Sequence, residues 1–512
     1  MAHFRFSPRP NRADAIEWRS WTRAAFDEAQ AAEKPILLVL TTFWCQACHE
    51  LDEQALSDED VIALANERLI PIRVDGDRRP HVQDRYIGEG WPTVALLAPT
   101  GEVFWSATYA EPKELRRVAG SVLEAWEDRR EALEEEIANR RKAIEAARSR
   151  RAATGLVRRE AADDVLTGAQ DQFDARNGGF GQGPKFVHAE AVELLLTQGA
   201  SLPNPDWITM AERTLDGMLA GEIEDPVDGG WFHYALQPNW TEPRTEKLLR
   251  INARALSAFA FGAARRDRDD WLEAAERTVA WVHGTLARGG LWTGSQAADP
   301  AYFAERDDRS DRDPPPVDDT VYTDSAAMWI TALAGAGQWL GRDPWVAQAS
   351  EALDTLLDTM AAGEDSLTHF RDDEATGDPS DHGPVTGLLV DLLHTARAAA
   401  AVADAADRDD ALEHAVRLVA RMKDTLWDEA GGFQGFAAGP EALGALRYPD
   451  RPFEENALAA RLHIRLARRT GDRSYRAVAE RLLAFLAPYA GRYAVEGATF
   501  AMAVEEFFEL PR

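Results

Sequence analysis

Unbroken apolar runs of strand length alternate with helical patterns in the first 125 residues. The runs occupy residues 36–40, 69–75 and 93–97. A strand that is covered on both faces carries this kind of run. Apolar residues at helical spacing occur before the first run, in 16–32, and after it, in 50–68. The pattern predicts a small α/β domain over residues 1–125, with a hairpin strand after the third run.

Beyond this region the periodicity becomes almost entirely helical. Residues 126–160 are dense in Glu, Arg and Ala without a strong apolar stripe, which predicts a solvated helical connector. From residue 161 to 512, helix-length segments are separated by a Gly-Gly phrase with a following aromatic residue. It occurs at 178–180, 229–231, 289–292 and 431–433. If a degenerate copy at 367–370 is allowed, the phrase recurs every roughly 50 to 75 residues, which predicts helical hairpins that close into an all-α (α/α)6 toroid.

Charge and hydropathy exclude several classes of partner. The 512 residues carry a formal net charge of -30, which opposes binding to nucleic acid or to an anionic membrane surface. No window reaches the roughly 18 apolar residues that span a bilayer, and the first residues lack a signal-peptide pattern. We therefore expect a cytoplasmic protein that binds neither nucleic acid nor membranes.

The two cysteines of the chain, Cys45 and Cys48, follow the first apolar run directly. A dithiol at this spacing at a strand-to-helix junction places the first sulfur at a helix N-terminus, which stabilises its thiolate form. The sequence predicts that Cys45 is the nucleophile and that Cys48 resolves the mixed disulfide. Half of a zinc site, completed by His49 and His81, is the alternative. Zinc needs four ligands and no second pair of cysteines exists, so we predict neither metal nor cofactor.

Other residues support a redox site around the dithiol. Trp44 is expected to shield it, and Trp91-Pro92 precedes the third apolar run, where a cis peptide would place backbone opposite the cysteines. The first strand carries no acid that could transfer protons. His49 or Glu50 is the candidate for that role, although either is more often a plain helix-surface residue.

Motifs in matching order support a family resemblance over nearly the whole chain. They are Cys48-His49, Val74-Asp75, Gly90-Trp91-Pro92-Thr93, Gly179-Phe180-Gly181, Pro184-Lys185-Phe186, Gly230-Trp231-Phe232-His233 and the segment 243–249. The chain resembles the thioredoxin superfamily, and more closely the thioredoxin-domain proteins like spermatogenesis-associated protein 20. The resemblance implies a C-terminal domain similar to six-hairpin glycosidases and sugar epimerases. This chain departs from the family motif at Arg244 and Thr245, where relatives have His and Phe.

Acid/base and aromatic residues of the helical region form candidates for a sugar site, because carbohydrate chemistry needs both kinds of group around one sugar. The candidates are Asp228, His233, Trp240, Glu246, Lys247, Asp318, Asp319, Glu455 and Asn456. The alternative is that acids near helix starts are caps and first-turn charges, as is common in a chain this acidic.

Three functions follow from these observations. The first is a thiol:disulfide redox protein, with Cys45 and Cys48 acting on a disulfide-bearing protein or small molecule and the helical domain recognising substrate or partner. The second is a glycoside hydrolase or sugar epimerase or isomerase in the toroid, acting on carbohydrate with an accessory thioredoxin domain. The third is a non-catalytic interaction protein.

Six lysines stand against 87 acidic residues, a balance typical of proteins from a salt-adapted, halophilic cytoplasm with an acidic proteome. If so, dialysis from molar salt into dilute buffer should lower the urea midpoint of unfolding, because self-repulsion is no longer screened. An unchanged midpoint in dilute buffer would contradict salt adaptation.

Overall fold

The chain forms two compact units in a computed structural model. The structure describes residues 4–149, 155, 157–201, 204–363, 365–372, 385–439 and 442–511. The first unit contains Met1–Arg151 and a later segment, Phe436–Asp450. The second contains Ala152–Asp373, Thr386–Gly435 and Arg451–Arg512. Among the described residues, no helix has the length and apolar character needed to cross a bilayer.

The first unit is built on a four-stranded sheet. Its strands are β1 (Ile36–Thr41), β2 (Ile70–Asp75), β3 (Thr93–Leu97) and β4 (Val103–Ala107), and its helices are α1 (Arg23–Ala31), α2 (Gln46–Glu53), α3 (Glu59–Arg68), α4 (Pro80–Tyr86) and α5 (Pro112–Ser149). The order across the sheet is β2-β1-β3-β4. Strand β1 runs parallel to β2 and antiparallel to β3, and β3 and β4 form a hairpin. Every residue of β1 is buried, which explains its unbroken apolar run. The unit has the predicted thioredoxin-like α/β architecture.

A buried ion pair joins α2 to β2. The carboxylate of Asp52 accepts two hydrogen bonds from the guanidinium of Arg73, at 2.7 and 3.0 Å, and both side chains are almost completely buried. The Ser7 amide donates a third bond to Asp52 at 2.9 Å. Aromatic rings of Phe6 and Trp18 lie over the guanidinium. The pair is therefore desolvated but fully hydrogen-bonded, the condition under which buried charges are tolerated.

The later segment Phe436–Asp450 packs against α4 and the turn between β3 and β4. The Ala445 amide donates to the Tyr86 hydroxyl, which in turn donates to the Gly101 carbonyl, both at 2.8 Å. Gly101 and Gly444 approach so closely that a Cβ on Gly101 would lie 2.6 Å from the Gly444 Cα. Both glycines also have positive φ, so a side chain is disfavoured there on two grounds.

Helix α5 runs through the predicted domain boundary near residue 125 and reaches Ser149, with a non-helical residue at Arg129. The compact units accordingly divide after Arg151. Glu, Arg and Ala all favour helix, so the connector continues the last helix of the first unit instead of interrupting it. At the other end of the unit, the helix predicted over 16–32 begins at Arg23, where Thr22 caps it.

In its described residues, the second unit contains six outer and six inner helices that alternate along the chain. The outer helices are α6 (Glu160–Gln172), α8 (Pro205–Ala220), α10 (Asp269–Trp281), α13 (Asp343–Thr359), α15 (Asp409–Leu426) and α17 (Arg473–Leu486). The inner helices are α7 (Ala189–Ser201), α9 (Leu249–Arg266), α12 (Thr323–Leu340), α14 (Leu389–Ala406), α16 (Phe453–Thr470) and α18 (Ala498–Phe508). A short helix, α11 (Pro300–Phe303), lies in the long connection between α10 and α12.

Short strands occupy the connections between these helices. They are β5 (Tyr234–Ala235), β6 (Pro243–Arg244), β7 (Lys247–Leu248), β8 (Ala287–Arg288), β9 (Leu291–Trp292), β10 (Ser295–Gln296), β11 (Thr320–Tyr322) and β12 (Phe370–Asp372). They form two-stranded pairs β5-β6, β7-β10, β8-β9 and β11-β12.

Each inner helix packs on the next, and α18 packs on α7, so the ring is closed. The outer helices pack against this ring, each in contact with an inner helix. This is the predicted (α/α)6 toroid. Helices α12 and α14, whose residues are buried through most of their length, are rich in Ala, which lets neighbouring inner helices approach closely.

The recurring Gly-Gly phrase forms the same capped turn in three places. Asp174, Asp225 and Asp428 each exchange backbone hydrogen bonds with the glycine pair that follows. Asn252 and Asn456 then hold the next residue, each accepting from and donating to the backbone of Trp231 or Phe433. The copy at Gly289-Gly290 is instead the two-residue turn of the β8-β9 hairpin. Most copies of the phrase therefore recur because they form the turn that ends an outer helix.

The buried pair Asp52–Arg73 gives a test of the first unit. Asp52→Asn should destabilise this unit by about 3 to 5 kcal/mol, because it leaves the Arg73 charge buried without its partner. Hydrogen exchange of the β1 and β2 amides, followed by mass spectrometry, measures the change. Glu59→Gln is the matched control: it breaks the exposed pair with Arg12 and should cost less than about 1 kcal/mol. Equal small effects of both substitutions would contradict this role.

Candidate functional site

The two cysteines lie at the N-terminus of α2. Cys45 is the N-cap residue, and its Sγ accepts a hydrogen bond from the Cys48 amide at 3.2 Å. The end of a helix presents unpaired N–H groups and a positive dipole, which favour negative charge on the capping atom. The fold thus places the Cys45 sulfur at the N-terminus of a helix.

Both cysteines are free thiols and both are buried, with 5% of Cys45 and 1% of Cys48 exposed. Burial, followed by the interaction with the Cys45 side chain, raises the pKa of Cys48 well above its ordinary value. Cys48 therefore stays protonated at neutral pH. The two sulfurs have different environments, as a nucleophile and a resolving thiol require.

Two tryptophans lie in contact with each other at the end of the sheet that carries the dithiol. The β1-β3 register pairs Leu40 with Thr93, so the loop before β3 lies at the same end as the dithiol. The Trp91-Pro92 peptide in this loop is cis, as predicted. The Trp44 and Trp91 rings meet edge to face, with centroids 5.3 Å apart. Their indole nitrogens donate to Asp77 and Gln83 at 2.8 and 3.0 Å, so both rings are fixed in place.

The two predicted proton-transfer residues are both engaged in hydrogen bonds. His49 Nε2 donates to the Phe43 carbonyl at 2.9 Å. Burial lowers the pKa of His49 below its ordinary value, so the ring is neutral at pH 7. Glu50 accepts a hydrogen bond from Gln46 at 2.7 Å.

The buried charges nearest to the dithiol were not predicted. The positive charge of Arg73 acts on Cys48 and lowers its pKa, against the larger effect of burial, and Arg73 is held by Asp52. The signals available in the sequence were an arginine inside an apolar strand and an acid one turn beyond the second cysteine. The pairing itself joins residues 21 positions apart and has no local pattern.

In the second unit, the first turns of all six inner helices line one cavity of about 680 Å³. We call it the funnel. Its polar lining is His188, Glu190, His233, Arg250, Arg254, Asp324, His394, Arg397, Glu454, Glu455 and Glu496. Aromatic side chains of Phe180, Phe186, Phe453 and Tyr493 complete the wall. Concave shape, aromatic surface and converging charged groups are the usual features of a small-molecule site.

Arg254 lies between two carboxylates of the funnel. Its Nη2 is 2.6 Å from Glu454 Oε1, and its Nε is 3.6 Å from Glu190 Oε1. Burial is the largest single effect on the pKa of Glu190 and raises it, but Arg254, a backbone hydrogen bond and the other nearby positive groups together outweigh burial, so the net shift is downward. At Glu454 burial dominates and the net shift of the pKa is upward, although 43% of its side-chain surface remains accessible. The two environments push the carboxylates toward opposite protonation states.

Two histidines of the funnel, His188 and His394, are neutral at pH 7. Burial lowers the pKa of His188 to about 4. Burial, with the positive charge of Arg397 second, lowers the pKa of His394 to about 3. Arg397 Nη1 donates to His394 Nδ1 at 3.1 Å, which leaves the proton of this ring on Nε2. Both rings can exchange protons with a bound ligand only from the neutral form.

The structure brings three of the nine predicted sugar-site residues to the funnel. His233 and Glu455 line it, and Glu246 lies behind His233, with Oε1 2.9 Å from Nδ1 of that ring. Asp228 instead lines a second cavity of about 1030 Å³, where it accepts hydrogen bonds from Arg309 and Tyr302.

The other five predicted residues lie outside the funnel lining. Asp318 accepts from the Tyr322 hydroxyl at 3.0 Å, and Asp319 contacts the Thr320 hydroxyl. Trp240 is buried and donates to the Asn177 carbonyl. Asn456 holds the turn at Phe433.

Lys247 is buried and bonded to Asp225 and the Gly229 carbonyl. Burial lowers its pKa to about 8. One hairpin earlier, Lys185 is bonded in a similar way to Asp174 and to the Gly181 carbonyl, so the lysine–aspartate bond is a repeated structural contact.

The candidate list omitted several charged residues of the funnel: Glu190, Arg254, His394 and Arg397. Glu190 lies in the first turn of α7, Arg254 in the second turn of α9, and His394 and Arg397 in the second and third turns of α14. A charged residue on a mostly apolar helix face was the available signal, but helix periodicity alone does not show that these three helices converge.

Fold and sites together define a thioredoxin-like domain joined to a six-hairpin toroid. Residues 9–145 match the family Thioredox_DsbH, described as a protein of unknown function, DUF255. The chain is 26% identical over 333 residues to spermatogenesis-associated protein 20 of Homo sapiens, covering 57% of this chain and 40% of that protein. It is 28% identical over 265 residues to uncharacterized protein B0495.5 of Caenorhabditis elegans, covering 48% and 36%. The chain thus aligns with about two fifths of these relatives, and the expected resemblance is confirmed.

Solved structures agree on the toroid. A D-mannose isomerase superposes with a TM-score of 0.54 at 13% identity, covering 68% of this chain and 96% of that one. A sugar epimerase from a ruminal bacterium gives 0.51 at 14% identity, with coverage of 64% and 84%. At these identities the similarity shows a shared fold.

Proposed function

We propose that the first unit carries out thiol:disulfide exchange through Cys45 and Cys48. The observation that carries the proposal is the hydrogen bond from the Cys48 amide to Cys45 Sγ at the N-terminus of α2. It stabilises the thiolate that attacks, while Cys48 remains a protonated thiol. The toroid then recognises the substrate or partner.

The exchange proceeds in two substitutions at sulfur. The Cys45 thiolate attacks one sulfur of a substrate disulfide, forms a mixed disulfide and releases the other sulfur as a thiolate. Cys48 then loses its proton, to the thiolate just released, and attacks Cys45 Sγ. This forms the Cys45–Cys48 disulfide and releases the second substrate sulfur as a thiolate. The substrate gains two electrons, and an external dithiol must return two electrons to the protein.

Selective alkylation tests this assignment. Cys48→Ser should still react with iodoacetamide at pH 7, whereas Cys45→Ser should react at least about tenfold more slowly, because Cys48 is buried and protonated. Rates are followed by mass spectrometry of the full chain in molar salt. Both variants unfolded in urea provide the control, and there they should react alike. Equal rates in the folded variants, or no labelling of Cys48→Ser, would contradict the proposal and favour a non-catalytic interaction protein.

We also infer acid/base chemistry on a carbohydrate as a second candidate, located in the funnel. The specific observation is that Glu190 and Glu454 flank one guanidinium and have pKa values shifted in opposite directions. Such a pair supplies one base and one acid, the requirement of glycoside hydrolysis. Neutral His188 and His394 suit proton transfer in an epimerase or isomerase instead.

A panel of aryl glycosides and free aldoses separates these chemistries, with release of the aryl group or change of the sugar as the readout. Glu454→Gln and Glu190→Gln should each lower the hydrolysis rate by roughly 10²- to 10⁴-fold. The rate of the unmodified protein should fall as pH rises through the pKa of Glu454 and as pH falls through that of Glu190. Glu193→Gln, one turn further along α7, is the matched control. Epimerisation that survives both carboxylate changes would assign the proton transfer to the histidines. If no substrate of the panel is turned over, the proposed enzymatic role of the funnel is wrong.

A further inference from the structure

Three potential metal ligands converge where two neighbouring inner helices begin. Asp324 is in the first turn of α12, Asp391 is in the first turn of α14, and His369 directly precedes β12. One ligand atom from each of the three side chains lies within 4.8 Å of the others. The Thr323 amide donates to the His369 carbonyl at 2.8 Å, and β11 pairs with β12 immediately beside it. The backbone therefore fixes the three residues relative to one another.

The charges of this cluster are not balanced by protein cations. No lysine or arginine in the described part of the chain forms an ion pair with Asp324 or Asp391. Other acids of the inner helices differ: Glu190 and Glu454 pair with Arg254, and Glu193 pairs with Arg461. Buried carboxylates are normally paired or coordinate a metal. Among the described residues, His369 is the one potentially cationic group that forms an ion-pair contact with Asp391.

An unsatisfied oxygen marks the same place. Asp391 is fully buried, and its Oδ2 has no hydrogen-bond partner within the described residues. Thr395, one turn further on the same face of α14, is also fully buried, and its hydroxyl is likewise without a partner. Leaving a buried acceptor unsatisfied costs about 1 to 3 kcal/mol, more for a charged group. A ligand that takes up the free oxygen removes this cost.

The spacing within the cluster suits ligands of one ion. His369 Nδ1 and Asp391 Oδ1 are 2.8 Å apart, which is compatible with two atoms that each lie about 2.1 Å from a common metal. On binding, the proton between them leaves or moves to Nε2, and the neutral ring becomes a ligand. A hydrogen bond between His369 and Asp391 would by itself explain this contact. It would explain neither the position of Asp324 beside them nor the unsatisfied Oδ2 of Asp391.

We propose that Asp324, His369 and Asp391 bind one divalent metal ion, Mn²⁺ or Zn²⁺, in the wall of the funnel. One imidazole nitrogen and two carboxylate oxygens suit these ions better than Ca²⁺ or Mg²⁺, which prefer oxygen alone. Two carboxylate charges outweigh the positive helix ends that face them. Asp324 lines the funnel, so the ion has a path of entry and its remaining coordination positions can meet hydroxyl oxygens of a ligand there. This site is independent of the proposed thiol exchange.

Metal uptake by the full chain tests the site. Protein stripped with a chelator is titrated calorimetrically with MnCl₂ in molar salt, which suppresses loose binding of cations to the acidic surface. Manganese is chosen because thiolates prefer softer metals, so the dithiol does not compete. We expect one ion per chain. A parallel titration with ZnCl₂ uses the Cys45→Ser, Cys48→Ser double variant, in which no thiolate remains to bind zinc.

Single substitutions then assign the ligands. Asp324→Asn, His369→Gln and Asp391→Asn should each weaken binding at least about tenfold. His233→Gln should bind as the unmodified chain does, since it removes another histidine–carboxylate contact, of 2.9 Å to Glu246. Circular dichroism verifies that each variant is folded, and Asp324, which is only half-buried, is the position that best tolerates change.

Two outcomes would overturn the proposal. One is that the stripped, unmodified chain takes up neither ion in stoichiometric amount, a result that needs no variant. The other is that all folded ligand variants bind as tightly as His233→Gln, in which case the uptake occurs elsewhere on the chain.

Discussion

The structure of the helical unit depends on one geometric constraint, the closure of six inner helices into a ring. Closure directs the first turns of all six helices at the same cavity. Each helix start carries a positive dipole and unpaired N–H groups. Acidic residues in these turns, such as Glu190, Asp324, Asp391 and Glu454, are therefore favoured for stability before any ligand is considered. The first-turn charges are thus the same residues on which the proposed sites of the funnel rest, and the two interpretations do not compete.

The same electrostatic principle operates on a smaller scale in the first unit. A single helix start, that of α2, has Cys45 as its N-cap residue, and the proposed thiol exchange depends on this position. The buried ion pair of Arg73 and Asp52 places a positive and a negative charge near the dithiol, and the two charges cancel in the net charge of the unit. In the funnel, Arg254 pairs in the same way with Glu190 and Glu454. Asp324 and Asp391 differ, because neither forms an ion pair with a lysine or arginine of the described residues.

Local patterns predicted most of the fold. The apolar run of β1, the cysteine pair, the cis peptide before β3 and the recurrence of Gly-Gly turns each follow from residues close in sequence. At Gly230 the turn requires positive φ, and a Cβ there would lie 2.3 Å from the Trp281 ring. The Gly-Gly phrase is therefore a direct consequence of close packing. The funnel was predicted less well, because Arg254 and Glu454 meet across 200 residues of chain. Likewise, Asn456 looked like a sugar ligand, but its amide is used by the turn at Phe433.

The segment Phe436–Asp450 has a consequence for how the protein is made. It belongs to the first compact unit, although nearly three hundred residues of the other unit separate it from the end of α5. At a synthesis rate of about 5 to 20 residues per second, the first unit waits roughly 15 to 60 s before its last piece leaves the ribosome. During that time the surface of α4 that receives Ala445 is uncovered, and Tyr86 lacks one of its two backbone partners. The N-terminal unit is therefore complete only after helices α6 to α15 of the other unit have been synthesised, so the two units do not follow one another as separate modules along the chain.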